Sequence, residues 1–117
     1  MYTYKAKLIH IINGDTVDAE IDLGFGVYVK QRIKLYGINT PDSRSNDYQI
    51  KQSGIDSKDA LSTIIDKKFQ VQTIMNKRGK VGRVLGVLHN LDDYGKPILN
   101  VNDEMVRQGH AIEYGKD

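Results

Sequence analysis

The sequence predicts an α+β fold: a small closed β-barrel of five short strands with helices packed against it. Two observations carry this. Five short β-rich runs are separated by turn residues, three before a helical segment and two after it. The chain has 117 residues, so residues 1–117 make one domain and not two.

The first strand covers residues 4–12 and stops at Asn13-Gly14, a strong hairpin signal. The second is roughly 15–23. There Val17, Ala19, Ile21 and Leu23 alternate with Thr16, Asp18, Glu20 and Asp22, which puts the apolar set on one face. Gly24 and Gly26 punctuate, and a third strand with Val27, Val29, Ile33 and Leu35 on one parity runs to about Leu35. Gly37 and Pro41 end the regular structure. Gly54, Leu61, Ile64 and Ile65 then fit a helical spacing over about 47–65. Phe69–Ile74 and Val84–Leu88 read as strands four and five, and a last helix over 103–109 is capped by Asn100 or Asn102 and stopped by Gly109. The order β-β-β-α-β-β-α suits a small Greek-key barrel such as the OB-fold. Its core should include Val17, Ile21, Leu35, Leu61, Phe69, Val84, Leu85 and Val106.

Composition narrows the function classes. Without Cys there are no disulfides, thiolate metal sites or cysteine nucleophile. His10, His89 and His110 lack zinc-like spacing. No apolar run is long enough to span a membrane, and no membrane partner is expected. The N-terminus does not read as a signal peptide, so the cytoplasm is the expected location. A monomer is the expected state. A net charge of +2 is too small to imply nucleic acid by itself, so local clusters must make that case.

Three segments could carry chemistry. Asp15 follows the Asn13-Gly14 turn, where an acid is commonplace, yet it shares the parity of Val17, Ala19 and Ile21. A carboxylate on the apolar side of a strand is costly unless it is paired or metal-bound. Asp18, Glu20 and Asp22, on the other parity, read as a solvated face able at most to attract a stray cation. The second segment is Lys34 to Asp42. Pro41 pushes Thr40 towards an extended conformation, leaving its carbonyl free, while Asn39 and Asp42 add side-chain oxygens. Oxygen-only ligands suit Ca2+ or Mg2+. The third is Lys77-Arg78-Gly79-Lys80-Val81-Gly82-Arg83. Between Lys67 and Arg83 there are six basic residues and no acid, and the glycines allow a close approach to an anion. Arg83 could present its planar fork to a phosphate, although most basic loops are simply solvated.

In order, Gly14-Asp15-Thr16-Val17, Lys34 to Asp42, Gly54 with Leu61, Gly79 to Gly86 and Asn102 to Ala111 resemble the staphylococcal nuclease family over nearly the whole chain. Ile21 to Gly26 and Asp42-Ser43-Arg44 look most like its small phage and bacterial members. The resemblance implies a Ca2+-dependent nuclease for DNA and RNA, with Mg2+ or Mn2+ as other cations and a single-stranded substrate preferred. It implies that Asp15, Asn39 and the Thr40 carbonyl are metal ligands, that Asp42 positions the attacking water, and that Lys34 and Arg83 grip the scissile phosphate. Lys77, Arg78, Lys80 and Tyr114 would contact the nucleic acid. The sequence departs from the family pattern, which carries Arg at position 34, Glu at 42, Asp at 39 in its best-known members and a nucleotide-contacting Tyr at 81. The chain also ends soon after Tyr114. These changes imply slower turnover. A catalytically silent OB module that binds single-stranded nucleic acid or a protein is the competing reading.

Overall fold

In the computed structural model the described residues are 2–74 and 84–115. Three long strands open the chain: β1 (Thr3–Asn13), β2 (Thr16–Asp22) and β3 (Tyr28–Leu35). They form an antiparallel meander. A short β4 (Ile38–Asn39) leads into helix α1 (Tyr48–Ile64), followed by β5 (Lys68–Ile74) and β6 (Val84–Leu91). The chain closes with β7 (Pro97–Asn100), α2 (Val101–Arg107) and β8 (Ile112–Glu113). Side by side the strands run β3-β2-β1-β5-β6, and β6 returns to pair in parallel with β3. This is the closed five-stranded OB-type barrel with two helices that the sequence predicts.

One edge of β6 is divided between two partners. Its first residues, Val84 to Gly86, meet Ile33 to Leu35 and close the barrel. Its last, His89 to Leu91, meet β7, which continues the sheet as a hairpin. The short pair β4–β8, matching Ile38 to Glu113 and Asn39 to Ile112, holds the C-terminal segment against the loop after β3.

The core is apolar and continuous. Val17, Ile21, Leu35, Leu61 and Phe69 are buried in it, as alternation and helical spacing imply. Other members were not anticipated: Ile33, Ile38, Val71, Leu88, Val101 and Met105 are also buried. Val84 and Val106 are only partly buried and pack against the core. Leu85 is partly exposed because the inward parity of β6 is that of Gly86, Leu88 and Asn90. The last helix starts at 101, two residues earlier than predicted, with Asn100 as its cap through the Asp103 N–H. Asn102 lies inside the core. Its amide donates to the Tyr36 and Gly86 carbonyls and accepts from the Leu88 N–H. Leu23 and Val27 are exposed, since they flank the tip of the β2–β3 hairpin rather than extend its apolar face. At that tip Phe25 has a positive φ and its side chain lies wholly in solvent.

The solvated face is a ladder of paired charge. A register shift between Leu8 and His10 resets β1 so that Lys5, Lys7 and His10 stand opposite Asp22, Glu20 and Asp18. Lys30 and Arg32 of β3 flank Glu20 and Asp18 on the other side. Arg32 bonds Asp18 through two nitrogens, at 2.9 and 3.2 Å, and His10 approaches it at 2.9 Å. The Arg32 hydrogen bond, with a smaller contribution from His10, holds the Asp18 carboxyl below its ordinary range. Asp18 and Glu20 have bases on both sides, and Asp22 has Lys5 on one side and Tyr28 on the other, so this acid row has little free charge to offer a cation.

Candidate functional site at the mouth of the barrel

The site is assembled where the β1–β2 turn meets the loop after β3. Asp15 follows the turn and is only 5% exposed. Its main-chain carbonyl accepts from the Leu35 N–H at 2.8 Å, which ties the turn to the end of β3. Its carboxylate is partnered on both oxygens. Oδ1 accepts from the Thr16 hydroxyl at 2.9 Å and Oδ2 from the Thr40 N–H at 3.1 Å. A buried carboxylate requires this kind of support.

Lys34 stands beside it. Nζ lies 3.5 Å from Asp15 Oδ2 and donates to the Ile38 carbonyl at 2.6 Å and the Leu35 carbonyl at 3.1 Å. The ammonium is thus drawn onto the backbone of the loop it serves, with its charge beside Asp15. Asn39 is half-buried in β4 and, with Thr40 and Pro41, forms one wall of a cleft of about 480 Å3 completed by α1 and residues 109–112. Among the described residues, the Thr40 hydroxyl is buried without a hydrogen-bond partner. Asp42 is exposed, and its Oδ1 accepts from the Arg44 N–H at 2.8 Å. Tyr114 is also exposed, and its N–H donates to the Gly37 carbonyl at 2.9 Å, which brings the C-terminal segment to the same loop. Arg83, Lys77, Arg78 and Lys80 lie outside the described residues. Val84 is the strand partner of Ile33, next to Lys34.

The structure therefore brings Asp15, Lys34 and Thr40 into direct contact and sets Asn39 beside Thr40. Asp42 stands at the outer end of the same loop. The candidate ligand atoms are the Asp15 carboxylate, the Asn39 side-chain amide, the Thr40 main-chain carbonyl and the orphaned Thr40 hydroxyl. They are all hard oxygens, which fit a Ca2+- or Mg2+-like cation better than a softer metal. Formal charge is scarce, and among the described residues no three acidic or histidine side chains gather as a metal-binding group.

Sequence reasoning missed Asn13 and Ser43. Asn13 Oδ1 accepts from Ser43 Oγ at 2.6 Å and from the Ser43 N–H at 3.3 Å, joining the turn of Asp15 to the loop of Asp42. The only signal for Asn13 was its place in an Asn-Gly turn, where its backbone preference already explains it.

Fold and site together define an OB-type barrel with an oxygen-rich mouth built around one buried acid. The model of the staphylococcal nuclease homologue family matches residues 32–117, and the chain belongs to that family. This is a nuclease-type family, which points to nucleic acid as the substrate. A comparison with curated proteins gives no match.

Proposed function

We propose that this protein is a metal-dependent nuclease, hydrolysing phosphodiester bonds in DNA or RNA with little regard to base sequence and at a reduced rate. One observation supports this above the others. In a chain of this family, the barrel mouth keeps a buried carboxylate, Asp15, hydrogen-bonded to the loop that carries Asn39, Thr40 and Asp42. Asp15, Asn39 and the Thr40 carbonyl would hold Ca2+, with Mg2+ or Mn2+ as substitutes. When bound, the cation would polarise a phosphoryl oxygen and help supply the nucleophile. Asp42 orients the attacking water from the exposed end of the loop. Lys34 and Arg83 offset the charge that grows on the phosphate. Lys77, Arg78, Lys80 and Tyr114 hold the rest of a single strand. The protein works as a monomer in the cytoplasm.

The reduced rate follows from three residues. Asn39 adds no negative charge, Lys34 offers a point charge in place of a planar fork, and Asp42 is a short acid already engaged by the Arg44 N–H. The Lys34 ammonium, 3.5 Å from Asp15, also neutralises locally the charge a cation would seek. That contact favours a second reading, a silent module that binds single strands without cutting them.

The test is cleavage of single-stranded DNA and RNA with Ca2+, Mg2+ or Mn2+, using the parent and Asp15→Ala. The parent should cleave with at least one metal, while Asp15→Ala should neither cleave nor bind metal and should keep its circular dichroism spectrum. Equal cleavage by Asp15→Ala would overturn the site. A parent that binds single strands and cuts none with any metal establishes the silent module.

A further inference from the structure

Asp15 lies on the turn after β1, and Thr40 and Asp42 lie on the loop after β4. Besides the bond from the Thr40 N–H to Asp15, three contacts hold turn and loop together, and each depends on residues outside the ligand set. The first is the double hydrogen bond from Ser43, through Oγ at 2.6 Å and N at 3.3 Å, to Asn13 Oδ1. Ser43 is buried, so little water competes for this bond. The second is Gly54 in α1, which lies against the loop backbone. A Cβ there would stand 2.4 Å from the Ser43 nitrogen and 2.6 Å from the Asp42 carbonyl carbon. The third is Gly14, against Ser57 one turn further along α1, where a Cβ would stand 2.8 Å from the Ser57 Cβ. Ser57 is anchored in turn, its hydroxyl donating to the His110 carbonyl at 2.8 Å. One side of α1 is thus the common bed for both acid-bearing segments, and Asn13–Ser43 is the clasp across their tops.

We propose that Asn13 and Ser43 are positioning residues, which fix Asp42 relative to Asp15 without touching phosphate or cation. The inference rests on the nuclease reading above. Asp42 is exposed, and among the described residues its carboxylate is bonded only locally, to the Arg44 N–H two residues on. Its place therefore depends on the residue that follows it, and Ser43 is where the loop is fastened. Loss of the clasp should move the water-orienting group while leaving substrate binding intact, because the basic residues and Asp15 are untouched. A displacement of about 1 Å is enough to cost on the order of 100-fold in rate.

The experiment compares the parent, Asn13→Ala, Ser43→Ala and Asn13→Asp. It reads steady-state cleavage of single-stranded DNA at saturating Ca2+ and exchange of the Ser43 amide hydrogen by NMR. Asn13→Ala and Ser43→Ala should lower kcat by on the order of 100-fold, with KM unchanged within about twofold. Asn13→Asp keeps the acceptor oxygen and should stay within about threefold of the parent. In Asn13→Ala the Ser43 amide should exchange about tenfold faster or more, while the Thr40 amide, bound to Asp15, keeps its rate. Parental kcat in both alanine variants, or a loss confined to KM, overturns the proposal. If the parent cleaves nothing, the nuclease reading fails separately and exchange decides the clasp: an unchanged Ser43 rate in Asn13→Ala overturns it.

Discussion

At the scale of single residues, the site turns on how charge is shared around Asp15. Its two oxygens serve Thr16 and Thr40, and Lys34 supplies the neighbouring positive charge. Asn39 is the position where one atom changes that balance. Asn39→Asp should tighten Ca2+ binding, because affinity tracks the formal charge of the ligands, and the gain should be larger with a nucleotide present to complete the coordination. Calorimetry with and without nucleotide measures it, and an unchanged affinity would place the cation elsewhere. The inward parity of Asp15 could be read from the alternation of β2. The roles of Asn13, Ser43 and Asn102 could not, because each depends on a partner far away in the chain. An Asn at a turn or near a helix start is explained by local preferences alone, and those preferences hide a long-range bond.

At the scale of elements, helix α1 decides how closely the site is held. Gly54→Ala would ordinarily stabilise a helix by roughly 1 kcal/mol through propensity. Here the added carbon meets the backbone of Asp42 and Ser43 on a segment fastened at Asn13. Overpacking of that kind costs about 1–3 kcal/mol, so the variant should melt earlier despite its better helix former, and thermal unfolding checks the sign. Helix α2 offers a pH test. Two hydrogen bonds from Arg107, with a further one from Gln108, hold the Glu104 carboxyl down at about 2, from an ordinary 4.5. Because the folded value is depressed, the stability this contact contributes is present above pH 4.5 and is lost as pH falls through about 2. An NMR titration should find Glu104 titrating well below its ordinary value in the parent and closer to it in Arg107→Ala, where the Gln108 bond remains. Long elements with strong periodicity, β1 to β3 and α1, were legible in the sequence. β4, β7 and β8 were not, since segments of two to four residues have no periodicity to show and exist only because a distant strand pairs with them.

At the scale of the whole molecule, a net charge of +2 conceals an uneven distribution. On the outer face of the meander Lys5 and Lys7 stand opposite Asp22 and Glu20 in the strand register, and Asp18 is paired by His10 and Arg32, so acids and bases are interspersed there. If the run between Lys67 and Arg83, with six basic residues and no acid, supplies the attraction for nucleic acid, salt dependence tests it. Replacing Lys77, Arg78 and Lys80 together by Gln should flatten the salt dependence of single-strand binding, lowering the slope of log affinity against log salt by about two. Binding titrations over a range of salt concentrations measure this, and an unaltered slope would mark the run as an ordinary solvated loop. The core was misjudged on β6 because Val84, Leu85, Val87 and Leu88 put apolar residues on both of its parities, and on α2 because seven residues are too few to show a face.

The parallel contact between Ile33–Leu35 and Val84–Gly86 spans only three residue pairs, yet it joins positions about fifty apart in the chain. Antiparallel hairpins between neighbours form early, whereas a contact across so long a loop must first overcome its closure entropy. The long-range pairings, this one together with β1–β5 and β4–β8, should therefore form in refolding after the three-stranded meander is in place. Lys34 sits within that pairing, opposite Leu85, and Asp15 bonds the backbone of Leu35. In a refolding experiment, native order at Asp15 and Lys34 should consequently lag behind protection of the β1–β2 amides, so that the mouth of the barrel acts as a clock for the formation of long-range pairings.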